Sequence, residues 1–291
     1  MSRLRGWRRA SFGLNDIMEI QLSDAQDSRL TDTDGSDMAQ TNGTALITGG
    51  AKRIGAAIAR DLGRHGFSVA IHCSHSRDAA DRLAAEIIEA GGRAAVLQAD
   101  LRDGKATRAL IGQTEEALGL PSIVINNASI FEDDAVSDFT DEGWDAHFDL
   151  HVKAPALIAQ ALTQALPDDA QALIVNMIDQ RVWRLNPRFF SYTLSKSALW
   201  TATRTMAQAL GPNIRVNAIG PGPTLPNQRQ QQEDFDRQTD GLILGRAPDL
   251  DDFGRTVRYL WETRSITGQM IALDGGQHLA WETPDVAGVP E

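Results

Sequence analysis

The run Thr44-Ala-Leu-Ile-Thr48 passes without a break into Gly49-Gly50-Ala-Lys-Arg53-Ile-Gly55, and then into a helical stretch, Ala56–His65. No other feature limits the possible folds as much. A short apolar run closed by glycines reads as a buried strand. Glycines after it let the backbone turn where a side chain would collide. The helix that follows leaves its first N–H groups without partners inside the helix. Strand, glycine turn and helix together form an opening that fits a dinucleotide, with pyrophosphate at the helix start. The residues expected to contact it are Gly49, Arg53, Ile54 and Gly55.

The same alternation continues. Further strands are expected at Ser68–His72, Ala94–Gln98, Ile123–Asn126, Ala172–Asn176, Ile214–Asn217 and Gln269–Leu273. Helices are expected at Ala79–Ala90, 103–118, Asp141–Leu166 with a bend near Pro155, Tyr192–Leu210 and Asp249–Glu262. Strands that alternate with helices pair in parallel. The expectation is an α/β, Rossmann-type doubly wound parallel sheet in a single domain, residues 41–291. Residues 181–188 read as a loop. Residues 225–247 are polar and Gln-rich with little periodicity, which fits an irregular lid, with a disordered segment as the alternative.

Residues 1–40 differ in composition. Arg3, Arg5, Arg8 and Arg9 precede an acidic stretch containing Asp24, Asp27, Asp32, Asp34 and Asp37. No hydrophobic signal core follows the arginines, and the acids argue against an organelle transit peptide. A disordered extension is expected, and Met38 offers a start for the compact domain. The net charge of −11 disfavours partners such as nucleic acid or an anionic membrane. No apolar run approaches the roughly 20 residues needed to cross a membrane. The single cysteine, Cys73, excludes an internal disulfide and a cysteine-based zinc site. No metal is expected, and a cytoplasmic location fits.

The end of the second strand bears on cofactor choice. An acid there would hold ribose hydroxyls, but the sequence reads Cys73-Ser74-His75-Ser76-Arg77. Ser74, His75 and Ser76, with Arg77 and Arg53, suit a 2′-phosphate, so NADPH/NADP is expected over NAD. Asp100 and Leu101 close the third strand, where the carboxylate suits an adenine amine or the cap of the next helix. Asn127 and Ala128 follow the fourth strand and shape the same cleft. Tyr192 and Lys196 lie four apart on one helix face. A nearby ammonium is expected to lower the phenol from its usual pKa of about 10 and make Tyr192 a tuned proton donor.

These pieces in this order resemble the short-chain dehydrogenase/reductases over residues 43–278. The matching segments are Thr48-Gly49 to Gly55, Asp100, Asn126-Asn-Ala128, Tyr192 to Lys196, Pro221-Gly222 and Thr267-Gly268 to Asp274-Gly275-Gly276. The resemblance implies that Tyr192 is the proton donor. It also implies that Lys196 holds the nicotinamide ribose, and that Pro221 and Gly222 border the nicotinamide with Thr224 beside them.

Three departures resemble the pteridine reductases, including the dihydromonapterin reductase type. Arg53 replaces the central glycine, Asp179 replaces the usual serine, and Asn-Asn-Ala is followed by Ser129-Ile-Phe131. The resemblance implies that Arg53 reaches phosphate and substrate, that Ser129 contacts a pterin, and that Phe131 stacks on it. Asp179 would then act as a catalytic and substrate-binding residue, because a carboxylate accepts from ring N–H groups. Its structural alternative is an ion pair with Arg181 or Arg184. His151 stands where the family usually has an asparagine. The implied function is hydride transfer from NADPH to a pterin, against a carbonyl reductase of 3-oxoacyl or sugar-like substrates or a non-catalytic NADPH-binding sensor. The resemblance also implies a homo-oligomer, a tetramer or dimer, through the helices at 141–166 and 190–210.

Overall fold

The computed structural model describes residues 41–226, 230–283 and 287. The extension expected at residues 1–40 lies outside the described residues. Seven strands form one sheet: β1 Thr44–Ile47, β2 Ser68–Cys73, β3 Arg93–Gln98, β4 Ile123–Asn126, β5 Ala172–Met177, β6 Ile214–Pro221 and β7 Met270–Leu273. Their order is β3-β2-β1-β4-β5-β6-β7. Every pairing is parallel, for example Leu46 with Ala70 on one side and with Val124 on the other. The chain winds outward from β1 to β3, then returns to β4 beside β1. The point of reversal opens a crevice at the carboxyl ends of β1 and β4.

Alternation along the strands assigns each side chain to one of two layers. Ala45 and Ile47 face α1 (Arg53–Arg64), α2 (Arg77–Glu89) and α8 (Leu250–Glu262), where they meet Ile58, Leu62, Leu83 and Phe253. Leu46 and Val124 face α3 (Gly104–Leu118), α5 (Ala154–Ala165) and α6 (Phe190–Leu210), where they meet Leu110, Ile158 and Leu162. Burying each such side chain stabilises by about 1.5–3 kcal/mol. The doubly wound parallel sheet expected from the sequence is the observed fold. Among the described residues, no helix is long and apolar enough to cross a membrane.

Two elements differ from expectation. The long helix is not bent at Pro155. Instead α4 (Asp141–Phe148) gives way to a π-helical turn over Asp149–Lys153, and Pro155 sits in the first turn of α5. Proline has no N–H to bond the carbonyl four residues back, and its ring presses on that carbonyl. The disturbance therefore falls one turn upstream, on His151. The segment 225–247 is not wholly irregular either, since α7 spans Gln232–Asp240. Phe235 and Thr239 share one face and are buried, a period four apart that the surrounding glutamines obscure.

Candidate active site

The ends of β1 and β4 are tied together. Thr48 Oγ1 accepts from the backbone N–H groups of Asn127 (2.9 Å) and Ala128 (3.1 Å). Asn127 Nδ2 donates to the carbonyls of Thr48 (2.9 Å) and Gly49 (3.0 Å). Gly49 has φ of +59°, and a Cβ on it would lie 2.8 Å from Ala128 Cα. A Cβ on Gly55 would lie 2.6 Å from Asn127 Nδ2. Both positions therefore exclude any side chain. His72 supports the turn from beneath. Its Nδ1 accepts from Gly49 N–H at 3.2 Å, so the proton sits on Nε2, which donates to the Ala99 carbonyl at 3.1 Å. Burial lowers its pKa, which keeps the ring neutral.

A cleft of about 670 Å³ opens beside this turn. Gly49, Arg53, Ile54 and Gly55 form one wall, and Ser74, His75 and Ser76 form the end of β2. Asp100 and Leu101 line it from β3, and Asn127, Ala128, Ser129 and Phe131 from β4. Pro221, Gly222 and Thr224 lie outside that lining, at the end of β6 and just past it. There Gly222 N–H bonds Leu273 O at 2.9 Å and the Thr224 hydroxyl donates to Gly222 O at 3.1 Å.

The charges in and beside the cleft are partly committed, and Arg77, expected at the 2′-phosphate, lies outside the lining. Arg77 pairs with Asp81 one turn along α2, at 2.9 Å. Asp100 pairs with Arg102 at 3.0 Å, and that hydrogen-bonded guanidinium lowers the carboxyl pKa. The cap of α3 expected of Asp100 comes instead from Asp103, which accepts from Lys105 N–H at 2.8 Å. Arg53 has φ of +53°, a left-handed conformation that costs about 1–3 kcal/mol in a non-glycine residue. Its guanidinium donates to the carbonyls of Leu225 (3.1 Å) and Pro226 (3.0 Å), across from the glycine turn.

Tyr192, Asp179 and Lys196 converge. Tyr192 Oη donates to Asp179 Oδ2 at 2.9 Å, and Asp179 Oδ1 accepts the Arg181 backbone N–H at 2.8 Å. Lys196 Nζ donates to the Met177 carbonyl at 2.8 Å and lies 5.7 Å from the Tyr192 ring centre. Tyr192 is 6% exposed and Lys196 2%. Asp179 binds the Arg181 backbone rather than an arginine side chain. The expectation that Lys196 lowers the phenol is overturned. Burial first, then the charge and hydrogen bond of Asp179, hold Tyr192 well above the ordinary phenol range. Burial also raises Asp179, against the Arg181 N–H bond and the nearby cations. Burial lowers Lys196 from 10.5 to about 8, with Asp179 opposing. The result is a neutral phenol, fixed as a hydrogen-bond donor, beside a carboxyl that resists ionisation.

His151 ties this group to the cleft. Ser195 Oγ donates to the Tyr192 carbonyl at 2.7 Å, so it accepts from His151 Nδ1–H at 2.8 Å. Nε2 is then an acceptor, taking Ile130 N–H at 3.3 Å with Ser129 Oγ at 2.9 Å. Burial, Lys196 and His147 hold the ring well below the ordinary imidazole range, so it stays neutral. One turn earlier, His147 Nδ1 lies 2.7 Å from Ser191 Oγ, which in turn donates to Asp134.

The sequence reading missed Ser195, Ser191, His147 and Asp134. The spacing His147–His151 on one helix face was a legible signal. The pairing of each histidine with a serine of α6 was not, because it depends on how two helices cross. Phe189 was missed as well. It has φ of +58° and its ring stacks on Phe131, with centres 4.0 Å apart and planes 10° apart. Tyr192 meets Phe131 edge-on at 4.7 Å.

Residues 49–278 match the family described as enoyl-(acyl carrier protein) reductase. The chain is 58% identical to FolM alternative dihydrofolate reductase 1 of Brucella canis, solved in complex with NADP. That likeness has a TM-score of 0.82 and covers 84% of this chain and 98% of the other. The FolM of Brucella suis, also solved with NADP, is 59% identical with a TM-score of 0.82 and the same coverage, 84% and 98%. A 3-oxoacyl-(acyl-carrier-protein) reductase of Staphylococcus epidermidis is 27% identical over 241 residues, 81% of this chain and 99% of that protein.

Proposed function

This chain belongs to the short-chain dehydrogenase/reductase family, and from that membership we propose that it is an NADPH-dependent reductase of a pterin ring. The cleft suits the cofactor. Gly49 and Gly55 leave backbone where side chains would collide, and the N-terminus of α1 faces the cleft through Arg53 and Ile54. Ser74, His75 and Ser76 suit a 2′-phosphate, while Asp100 is neutralised by Arg102. Two solved relatives near 58–59% identity hold NADP. Bound NADPH supplies the hydride.

The chain's own residues handle the proton and the ring. Tyr192 holds a neutral O–H, and its bond to Asp179 fixes its direction. Lys196 offers an ammonium to a ribose hydroxyl from within the core. The hydrogen bond from Tyr192 to Asp179, at 2.9 Å, is the observation that carries the substrate reading. A ketone develops negative charge on oxygen, and a carboxylate beside that oxygen would oppose it. A pterin instead presents ring N–H and an amine, which a carboxylate accepts. Protonation of its ring nitrogen through the Tyr192–Asp179 pair accompanies hydride arrival at carbon. Phe131, stacking in the cleft wall, suits a flat ring.

The 3-oxoacyl reductase relative favours a second reading, reduction of a 3-oxoacyl thioester. Steady-state NADPH oxidation on a panel of dihydropterins and on such a thioester separates the two. Efficient thioester reduction with every pterin ignored would end the pterin reading. Asp179→Ser, which restores a neutral donor, is expected to lose pterin reduction. A cytoplasmic location and a tetramer belong to the same reading; apolar Phe139 and Leu194, partly exposed near α4 and on α6, support a contact there.

A further inference from the structure

Helix α6 takes its cap from another part of the chain. The first N–H groups of a helix have no partners inside it, and Phe189 at the N-cap supplies no side-chain bond. Asp134, from the loop after β4, serves the first two. Its backbone carbonyl accepts Phe190 N–H at 3.2 Å, and its carboxylate accepts Ser191 N–H at 3.2 Å. The same carboxylate accepts the Ser191 hydroxyl, whose oxygen in turn accepts His147 Nδ1–H at 2.7 Å. Asp134 thus bonds as an N-cap aspartate does. Its negative charge at the start of α6 also suits the helix dipole.

The two segments joined here carry the two sides of the reaction. Ser129 and Phe131 line the cleft, and Asp134 follows in the same loop without lining it. Tyr192 follows Ser191 directly. Around Asp134 the loop and the helix start are matched along their length. Phe131 stacks on Phe189, Asp133 pairs with Arg188, and Phe139 meets Phe190 at 5.8 Å. The Tyr192 ring stands edge-on to Phe131 at 4.7 Å and to His147 at 6.0 Å. His147 is fully buried, and Nδ1 is its one nitrogen with a partner among the described residues. Its polar contact is therefore directed at Ser191. A hydroxyl that must meet a ring held by another loop needs that separation fixed, because a displacement of about 1 Å can cost roughly 100-fold in rate.

We propose that Asp134 is a positioning residue for the reaction: by capping α6 from the β4 loop, it sets the Tyr192 hydroxyl against the cleft wall of Ser129 and Phe131. The inference rests on Tyr192 as the proton donor in the reading above. The Phe131–Phe189 stack and the Asp133–Arg188 pair hold the wall itself. Asp134 holds the donor, so its loss falls on turnover rather than on binding. The cap on Ser191 N–H needs one acceptor oxygen, which an asparagine keeps and an alanine does not.

The test combines steady-state kinetics with fluorine NMR of the full chain carrying fluorotyrosine. The sequence has two tyrosines, Tyr192 and the exposed Tyr259 on α8, so the second signal is an internal control. Asp134→Ala is expected to lower kcat about tenfold or more, with substrate KM and NADPH affinity within about threefold. Its Tyr192 signal is expected to shift or split while that of Tyr259 stays. Asp134→Asn is expected to recover most of kcat and the wild-type signal, since asparagine caps a helix about as well as aspartate. Ser191→Ala, which keeps the backbone cap, is expected to lower kcat less than Asp134→Ala does. An alanine variant of lower Tm with wild-type kcat, or with its Tyr192 signal unmoved, overturns the inference. So does an asparagine variant as slow as the alanine one, or a loss that falls on KM alone. If Asp134→Ala does not fold, Ser191→Ala answers by the same readouts: a lower kcat with a moved Tyr192 signal supports the inference, and an unmoved signal with wild-type kcat overturns it. Wild type that reduces no pterin ends the pterin reading, while the fluorine signals, which need no substrate, still decide this inference.

Discussion

Replacing Lys196 with methionine is expected to abolish turnover and leave the protein at least as stable. Methionine matches the length of the buried stem and favours a helix. Burial brings the Lys196 ammonium from 10.5 to about 8. Holding the charge there costs roughly 3 kcal/mol at neutral pH, at about 1.4 kcal/mol per tenfold change in acidity. Two losses offset the relief. The Met177 carbonyl loses its donor from Lys196 Nζ, which costs about 1–3 kcal/mol if nothing replaces it. Asp179 loses a cation, but Lys196 is the smallest of the influences named for that carboxyl. The net expectation at pH 7 is a gain of about 0–2 kcal/mol, or roughly 0–8 °C in Tm for a domain of this size.

The pH dependence has a definite sign. Between about 8 and 10.5 the unfolded chain keeps the Lys196 proton and the folded chain does not. The unfolded state then binds more protons, so wild-type stability rises with pH. The advantage of the methionine variant is present below pH 8 and shrinks as pH climbs toward 10.5. Urea unfolding of both proteins at pH 7, 8, 9 and 10 measures it. A variant more than 2 kcal/mol less stable at pH 7, or a gap that widens with pH, would refute the reasoning.

Tyr192→Phe keeps the ring contact with Phe131 and removes the proton; turnover should fall about 10²–10⁴-fold while NADPH titration is unchanged, and near-normal turnover would place the donor elsewhere. NADPH should bind at least about tenfold tighter than NADH, about 1.4 kcal/mol, and equal affinities by calorimetry would remove the role given to Ser74, His75 and Ser76. His151→Asn keeps a donor near Nδ1 for Ser195 but does not reach Ser129, so substrate KM should rise with kcat nearly held. His151→Gln places an acceptor near Nε2 and abandons Ser195, so kcat should fall instead. Identical effects on both parameters from the two variants would make His151 a packing residue only.

Much of this was legible in the sequence because it is local. Strand, turn and helix at residues 44–64 follow from consecutive residues, and Gly49 and Gly55 fall where the tight approach is found. The parallel sheet follows from the alternation. What was not legible depends on three-dimensional approach. Helical spacing places Tyr192 and Lys196 on one face, but not the direction of Nζ, which goes to Met177 on β5. The phenol therefore answers to burial and Asp179 rather than to the ammonium. The same limit hid Ser195 between His151 and Tyr192, since its bond to His151 crosses from α6 to the π-helical turn. Pro155 signalled a disturbed helix, but the consequence appears four residues back, at the carbonyl that proline cannot serve.

The start of α6 concentrates unfavourable terms. Phe189 takes a left-handed backbone at the helix N-cap with no side-chain cap. Lys196 is an ammonium in the core, and Asp179 is a half-buried carboxyl bonded to Tyr192. Arg181 adds two unmatched donors. Strain and unpaired charge at one place persist only when the surroundings fix them. Here the surroundings are β5 and β6, whose Leu173, Ile174, Val175 and Val216 are fully buried, and the chain Asn126–Asn176–Thr203, which bonds β4, β5 and α6 at 2.8 Å per link. That frame lets a neutral phenol, a reluctant carboxylate and an ammonium stay within one pocket. Removing the Lys196 charge should therefore relieve the fold while it costs the reaction, whereas Asn176→Ala, which breaks the frame at both links, should lower stability by about 2–4 kcal/mol. Since Asn176 touches none of the three, its loss should leave kcat nearly unchanged at temperatures where the fold holds, and a large kcat defect in a stable Asn176→Ala protein would show that the frame tunes the chemistry as well as the fold.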